Sequence, residues 1–494
     1  LLLRWLSKKH RMTINDVLSV FKQSNDFVEI ELQEERNHHF SICYFYTLVD
    51  KEKLNRDLLP YLRKTSSGTL EELYSAIPIS NKYIVENLSD LREKVLNGYV
   101  VVRTKTESQK CIVFDVAKDS NREVTTPEVE FSVVGPQEAF IEALDTNISL
   151  IRKRLPLSQL KVKELKIGKL TQTKVAVLYL DGIVDEENVQ TMTQRLKDIE
   201  FDQILDSSSL SQMITDNSMS IFPQFINSER PERVAAALGE GKVAFLCDGS
   251  PEAVLGPSTL IEFFSSLEDY FLPWQIASTV RLLRFFAVSF SILATPIYVA
   301  VLTYHYELIP KDLLATIISS RSNIPFPPII EAIFLELTIE LLREAGARLP
   351  TKVGQTIGIV GGIVIGQASV EAGLTSNILL IIVALAALAS FTTPVYQMGN
   401  TIRLIRFPFI ITAAFLGGIG VVICVLYTLI HLLKLKSLGR PYLEPLYPPR
   451  FKDWRDAFIR VPYNWMSSRP VYLRPKQKKR LNLFQATRKH DIDE

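Results

Sequence analysis

Phe407 to Leu433 reads FPFIITAAFLGGIGVVICVLYTLIHLL, 27 consecutive positions without Asp, Glu, Lys or Arg. A hydrocarbon core of roughly 30 Å needs about 20 helical residues, so this run predicts a membrane span. Three similar runs lie upstream: Phe285 to Tyr306 (22 residues), Val353 to Val370 (18) and Ala372 to Ile402 (31). Four of them within about 150 residues are hard to bury in a soluble core. Before about residue 280, charges recur every few positions. The mean hydropathy of +0.13 therefore averages two unlike halves.

Between the first two runs, Ile329 to Leu342 reads IIEAIFLELTIELL, with Glu331, Glu336 and Glu340 inside it. It is short for a span, and its carboxylates fall within one broad face. That pattern predicts an amphipathic interfacial helix. Lys/Arg bias orients the spans. Arg281 and Arg284 flank the first run. From Lys434 onward there are 15 Lys/Arg against 6 Asp/Glu. Four spans put both basic ends on the cytosolic side. The arrangement leaves Arg343, Arg348, Lys352, Arg403 and Arg406 outside.

The second run carries the most specific pattern. Gly354, Gly358, Gly362 and Gly366 recur every fourth residue, a stripe along one helix face where a neighbouring backbone can approach closely. One reading is packing within the chain. The other is packing between identical copies around an axis. Val360, Val364, Gln367 and Glu371 would then line a path, an apolar ring followed by an amide and a carboxylate. Such a ring gates by dewetting and favours cations at its mouth.

In the soluble half, residues 1–36 read as a loosely held extension. Phe40 to Tyr46 reads as a strand, Lys51 to Leu62 as a helix, and Tyr99 to Val102 with Cys111 to Phe114 as a hairpin. Gln137 to Arg154 reads as a long helix, and Val162 to Gly168, Thr173 to Leu180 and Lys242 to Cys247 as strands. The expected fold class is α+β: a two-part cytosolic α/β domain, an α-helical transmembrane domain of about four spans plus an interfacial helix, and a basic cytosolic tail. The expected boundaries are 1–36, 37–132, 133–272, 273–433 and 434–494.

Formal net charge is +2, so no global basic excess points to nucleic acid. Cys43, Cys111, Cys247 and Cys424 lie far apart with no CxxC, which suits a reducing compartment and suggests neither a zinc site nor a disulfide framework. Leu1 to Leu6 is too short for a signal-peptide core, and Met12 is a candidate start. No GxxxxGK[ST], HExxH or GxSxG occurs, so neither catalysis, a metal nor a cofactor is expected. Asp248-Gly249-Ser250-Pro251 reads as a turn before it reads as a ligand loop.

Several stretches carry a resemblance. They are Ser220 to Gln224 (SIFPQ), Ser228 to Glu232 (SERPE), Leu238 to Val243 (LGEGKV), Asp248 to Pro251, Phe263-Phe264 with Glu268-Asp269-Tyr270, and Gly354 to Gly358 with Gly361-Gly362. In the tail, Trp454-Arg455-Asp456, Arg460-Val461-Pro462 and Arg469-Pro470 follow. Over roughly residues 37–475 the chain resembles the A subunit of the GerA-type spore germination receptors of endospore-forming bacteria. The resemblance implies a multi-pass protein of the spore inner membrane. The implied partners are a transporter-like B subunit and a lipoprotein C subunit. It also implies a homo-oligomer, a pentamer among the options, that forms a nutrient-gated ion channel. The alternative is a non-conducting scaffold or a carrier. No catalytic residues come with the resemblance.

Overall fold

Strings such as VVV at 100–102, CIVF at 111–114 and VAVLYL at 175–180 are apolar on both strand faces, which requires helices on both sides of a sheet. The computed structural model describes residues 13–33, 39–64, 70–104, 110–118, 127, 130, 134–349 and 362–480. They form two units. The first holds the described residues up to Thr215, Phe225–Pro257 and those from Ser467 on; the second holds Asp216–Gln224 and Ser258–Met466.

The first unit contains two five-stranded sheets. One has β1 (Phe27–Gln33), β2 (His39–Phe45), β3 (Lys82–Val85), β4 (Tyr99–Thr104) and β5 (Cys111–Asp115), in the order β1-β2-β4-β5-β3. The other has β6 (Leu160–Ile167), β7 (Thr173–Leu180), β8 (Ile226–Ser228), β9 (Val243–Cys247) and β10 (Ala253–Gly256), in the order β6-β7-β9-β10-β8. Every strand pair is antiparallel. The two orders are the same order twice. The helices fall in matching places too: one before each sheet, helical segments between its second and third strands, and one between its third and fourth. The unit is a repeated fold that the sequence did not betray.

In the first sheet, Ile42, Val100 and Val102 face Leu54, Leu58 and Leu73. Cys43, Phe45 and Val101 face Ile14, Leu18 and Phe21 on the other side. Residues 14–33 are thus a correction to the expected loose extension. The helix Ile14–Phe21 is capped by Thr13 and seals one sheet face, and β1 extends the sheet. Asp26 anchors the turn between them. It lies fully buried and is held bidentately by Arg152 at 2.5 and 2.6 Å. The expected helix from Gln137 starts instead at Leu144. The Asp248 carboxylate accepts the Leu144 N–H there, and the Asn147 side chain accepts the Ile141 N–H. Asp248 to Pro251 is the turn between β9 and β10, with Gly249 at φ +83°. Burial pushes the Cys43, Cys111 and Cys247 thiols up to about 12, which leaves them chemically quiet.

The second unit is a helical bundle: α1 (Trp274–Tyr304), α2 (Lys311–Arg321), α3 (Pro328–Arg348), α4 (362–371), α5 (Asn377–Ser390) and α6 (Tyr396–Lys434). Of these, α1 and α6 are long and apolar enough to cross a membrane. The run read as one span at 407–433 is broken. Gly417 takes φ 61° and ψ −142°, outside helical space. The Cys424 thiol then lies 3.2 Å from the Thr412 hydroxyl. A continuous helix would separate those residues by about 18 Å. So α6 is a hairpin of two antiparallel arms. Its tip meets the end of α1, where the Tyr304 hydroxyl donates to the Phe415 carbonyl. Its two bases meet the 220–222 loop: Thr401 donates to the Ile221 carbonyl, and His431 lies 2.8 Å from the Ser220 hydroxyl.

At the start of α1, fully buried Asp269 takes Arg284 at 2.7 and 2.8 Å and Arg281 at 3.3 Å. The basic tail is folded over its described residues. Arg460 donates to the Leu272 and Tyr270 carbonyls, and the buried Tyr442 hydroxyl donates to the Pro223 carbonyl. Residues 467–480 belong to the first unit, where Arg480 pairs with Glu240 and Arg469 donates to the Gly239 carbonyl.

Candidate functional site

The three glutamates of α3 build a ladder of ion pairs inside the bundle. Glu331 is 1% exposed, accepts from Arg321 at 2.8 Å, and takes the Ser376 N–H. Glu336 is 4% exposed, accepts from Arg406 at 2.5 Å and from Thr295 at 3.0 Å. Arg406, itself 3% exposed, also donates to the Ser291 hydroxyl and the Ala386 carbonyl. Glu340 pairs with Arg343, which donates to Asn400. Ten residues of helix, Glu331 to Glu340, carry the ladder along about 13 Å.

The opposite face of α3 is apolar and exposed: Ile330, Phe334, Leu337 and Leu341. This is the reverse of a soluble helix, and it differs from the carboxylate-out face expected of an interfacial helix. An interfacial helix turns its carboxylates to water. Here two of the three point inward, away from any solvent, because each has a cationic partner on another element. A polar interior with an apolar outside is the pattern expected for helices in hydrocarbon.

The ladder also fixes the helix directions. Along α3 from Glu331 to Glu336, the level on α1 moves from Tyr298 back to Thr295 and Ser291. Thus α3 runs antiparallel to α1. The same holds for α5, from Ser376 beside Tyr298 to Ala386 beside Arg406. The first arm of α6 runs parallel to α1, from Arg406 near Ser291 to Phe415 near Tyr304.

Among the residues expected from sequence, Gly354, Gly358 and Val360 lie outside the described residues. The other five are on α4. Among the described residues, a Cβ on Gly362 would meet nothing within 4 Å, whereas one on Gly366 would meet the Leu380 side chain at 3.7 Å. Val364 is 57% exposed, and exposed Gln367 donates to Glu371 at 2.8 Å. The valine, amide and carboxylate are all exposed on one helix. Sequence reasoning missed the ladder partners Arg406, Ser291 and Thr295. The available signal was Arg403 and Arg406, two cations three residues apart that interrupt apolar sequence.

A globular α+β unit joined to a helical unit with a charged interior and an apolar exterior defines a protein built to meet an apolar surrounding. The comparisons narrow the class. Residues 15–472 match the family described as Bacillus/Clostridium GerA spore germination protein. The chain is 53% identical over 470 residues to spore germination protein GerQA of Bacillus cereus, covering 95% of this chain and 94% of that one. It is 48% identical over 468 residues to spore germination protein GerIA of the same species, covering 95% and 70%. A crystal structure of the N-terminal domain of the A subunit of the Bacillus megaterium spore germinant receptor GerK3 is also similar, at 25% identity and a TM-score of 0.39. That likeness covers 50% of this chain and 94% of the other. The chain belongs to the GerA family of spore germination proteins.

Proposed function

We propose that this chain is a non-enzymatic membrane subunit of a nutrient-responsive germinant receptor in the spore inner membrane. Several copies, with a pentamer as the working model, assemble so that the helix ending at Glu371 lines an ion path. Opening of that path releases ions and starts germination. A transporter-like B subunit supplies nutrient sensing, and a lipoprotein C subunit completes the complex. A ligand must then favour the open arrangement over the closed one, because equal affinity for both shifts nothing.

The observation that carries this reading is α4. Gly362, Val364, Gln367 and Glu371 are exposed, with Gly362 open to a neighbouring backbone. In this reading α1, α3, the helix ending at Glu371, α5 and the two arms of α6 make six passes. An even number keeps the α+β unit and the tail together on the cytosolic side.

One observation favours the alternative of a scaffold or carrier. Gly366 packs on Leu380 of its own chain, so part of the stripe serves the subunit itself. Ion flux from liposomes separates the two. The purified chain is reconstituted alone and then with its receptor partners. Ligand-dependent flux that bulky replacement of Val364 changes supports the channel. A monodisperse monomer with no flux in either preparation supports the scaffold.

A further inference from the structure

The lower end of the ladder opens into a cleft whose chemistry the channel reading does not use. It is a small, partly open cleft between α3, α5 and α6, with about 20 Å³ of enclosed space. Its walls are of two kinds. Arg343, Arg403 and Arg406 face Glu336 and Glu340, while Ile339, Phe391 and Phe407 supply apolar surface. The charges do not balance. Glu336 is taken by Arg406 and Glu340 by Arg343. Arg403 reaches only the Asn400 side-chain oxygen, which Arg343 also uses. Among the described residues no carboxylate lies within ion-pair distance of Arg403, and the Nε atoms of Arg343, Arg403 and Arg406 are buried without acceptors. Three guanidiniums against two carboxylates leave a place for one anion.

We propose that this cleft binds the phosphodiester headgroup of an anionic phospholipid. Guanidiniums present paired donors that match phosphate oxygens. The apolar wall argues for a lipid over a free anion. Phe391 is 61% exposed, and Leu388 and Leu404 beside the cleft are 65% and 55% exposed. A phosphate held at Arg403 would have its acyl chains laid along that surface. The level is right as well. Arg403 lies two residues from Thr401, at the bundle end where Arg281 and Arg284 start α1. That is the cytosolic end by positive charge bias, and basic pockets between helices at that leaflet suit anionic headgroups. The inference rests on the membrane placement of the bundle and not on conduction.

The test uses the full chain, purified in detergent and stripped of lipid. Its thermal midpoint is followed as phosphatidylglycerol, phosphatidylcholine or inorganic phosphate is added. Phosphatidylglycerol is expected to raise the midpoint saturably by a few degrees, and the other two to leave it unchanged. Arg403→Gln is expected to fold normally and to weaken the phosphatidylglycerol response about fivefold or more. Equal responses to both lipids overturn the proposal, as does an unaltered response in the variant. A full effect of inorganic phosphate alone overturns the lipid assignment. So does an Arg403→Gln chain that loses its oligomeric state while keeping its lipid response, since the arginine would then pair with another protein. Failure of the membrane placement would show separately, as a chain released from membranes by alkaline carbonate.

Discussion

At the residue scale, two glycines in apolar helices behave in opposite ways. Gly420 sits where the arms of the hairpin touch, and a Cβ there would collide with the Thr412 carbonyl oxygen. Among the described residues, nothing lies within 4 Å of a Cβ added at Gly362. Gly420→Ala should therefore destabilise the bundle by about 1–3 kcal/mol or more, since backbone cannot yield like a flexible side chain. Gly362→Ala should leave the isolated subunit as stable or slightly more so, alanine being the better helix former by about 1 kcal/mol. Thermal unfolding of the two variants in detergent checks both directions. A Gly362→Ala chain that folds well but assembles poorly would place that glycine between copies. Gly417 explains why the hairpin was invisible in sequence. Two adjacent glycines in an apolar run are tolerated in a straight membrane helix and are equally suited to a tight turn at positive φ.

The element scale is where sequence and structure part most clearly. The sheet strands were legible, because burial on both faces writes continuous apolar strings such as VAVLYL. The i+3/i+4 spacing of Val364, Gln367 and Glu371 puts them along one side of a helix, but spacing does not say what that side meets. The role of α3 was not legible. Composition records that Glu331, Glu336 and Glu340 share a face, but not whether that face meets water or Arg321, Arg406 and Arg343. Only the partners decide it. The energetic signature of such a pair is asymmetric. Removing one member strands a buried charge, at about 3–5 kcal/mol, whereas replacing both by apolar groups of similar size is often neutral. Glu336→Leu alone should be strongly destabilising. Adding Arg406→Met should restore most of the loss in denaturant titrations of the detergent-solubilised chain. If the double variant is no better than the single, the two residues do not act as a pair.

On the scale of the whole molecule, the six passes proposed and the four expected from sequence have the same parity. The proposal adds one crossing by taking α3 through the membrane and another by the turn at Gly417. Either count puts both basic ends on the same side. The difference lies in the middle of the chain. Four passes leave α2 and the end of α3 on one side; six put them on opposite sides. The repeat of one strand order in two sheets is likewise a property of the assembled chain, with no matching residues to announce it.

The most direct measurement of the account follows from that difference. Single cysteines are placed at exposed Asp312 and Ala345 in a chain lacking Cys424, and each is probed with a membrane-impermeant thiol reagent in sealed vesicles of known orientation. The inside-out bundle predicts that Asp312→Cys is labelled only from the outer side and Ala345→Cys only from the cytosolic side. Labelling of both from one side would contradict it, because α3 could not then cross with its glutamates paired inside.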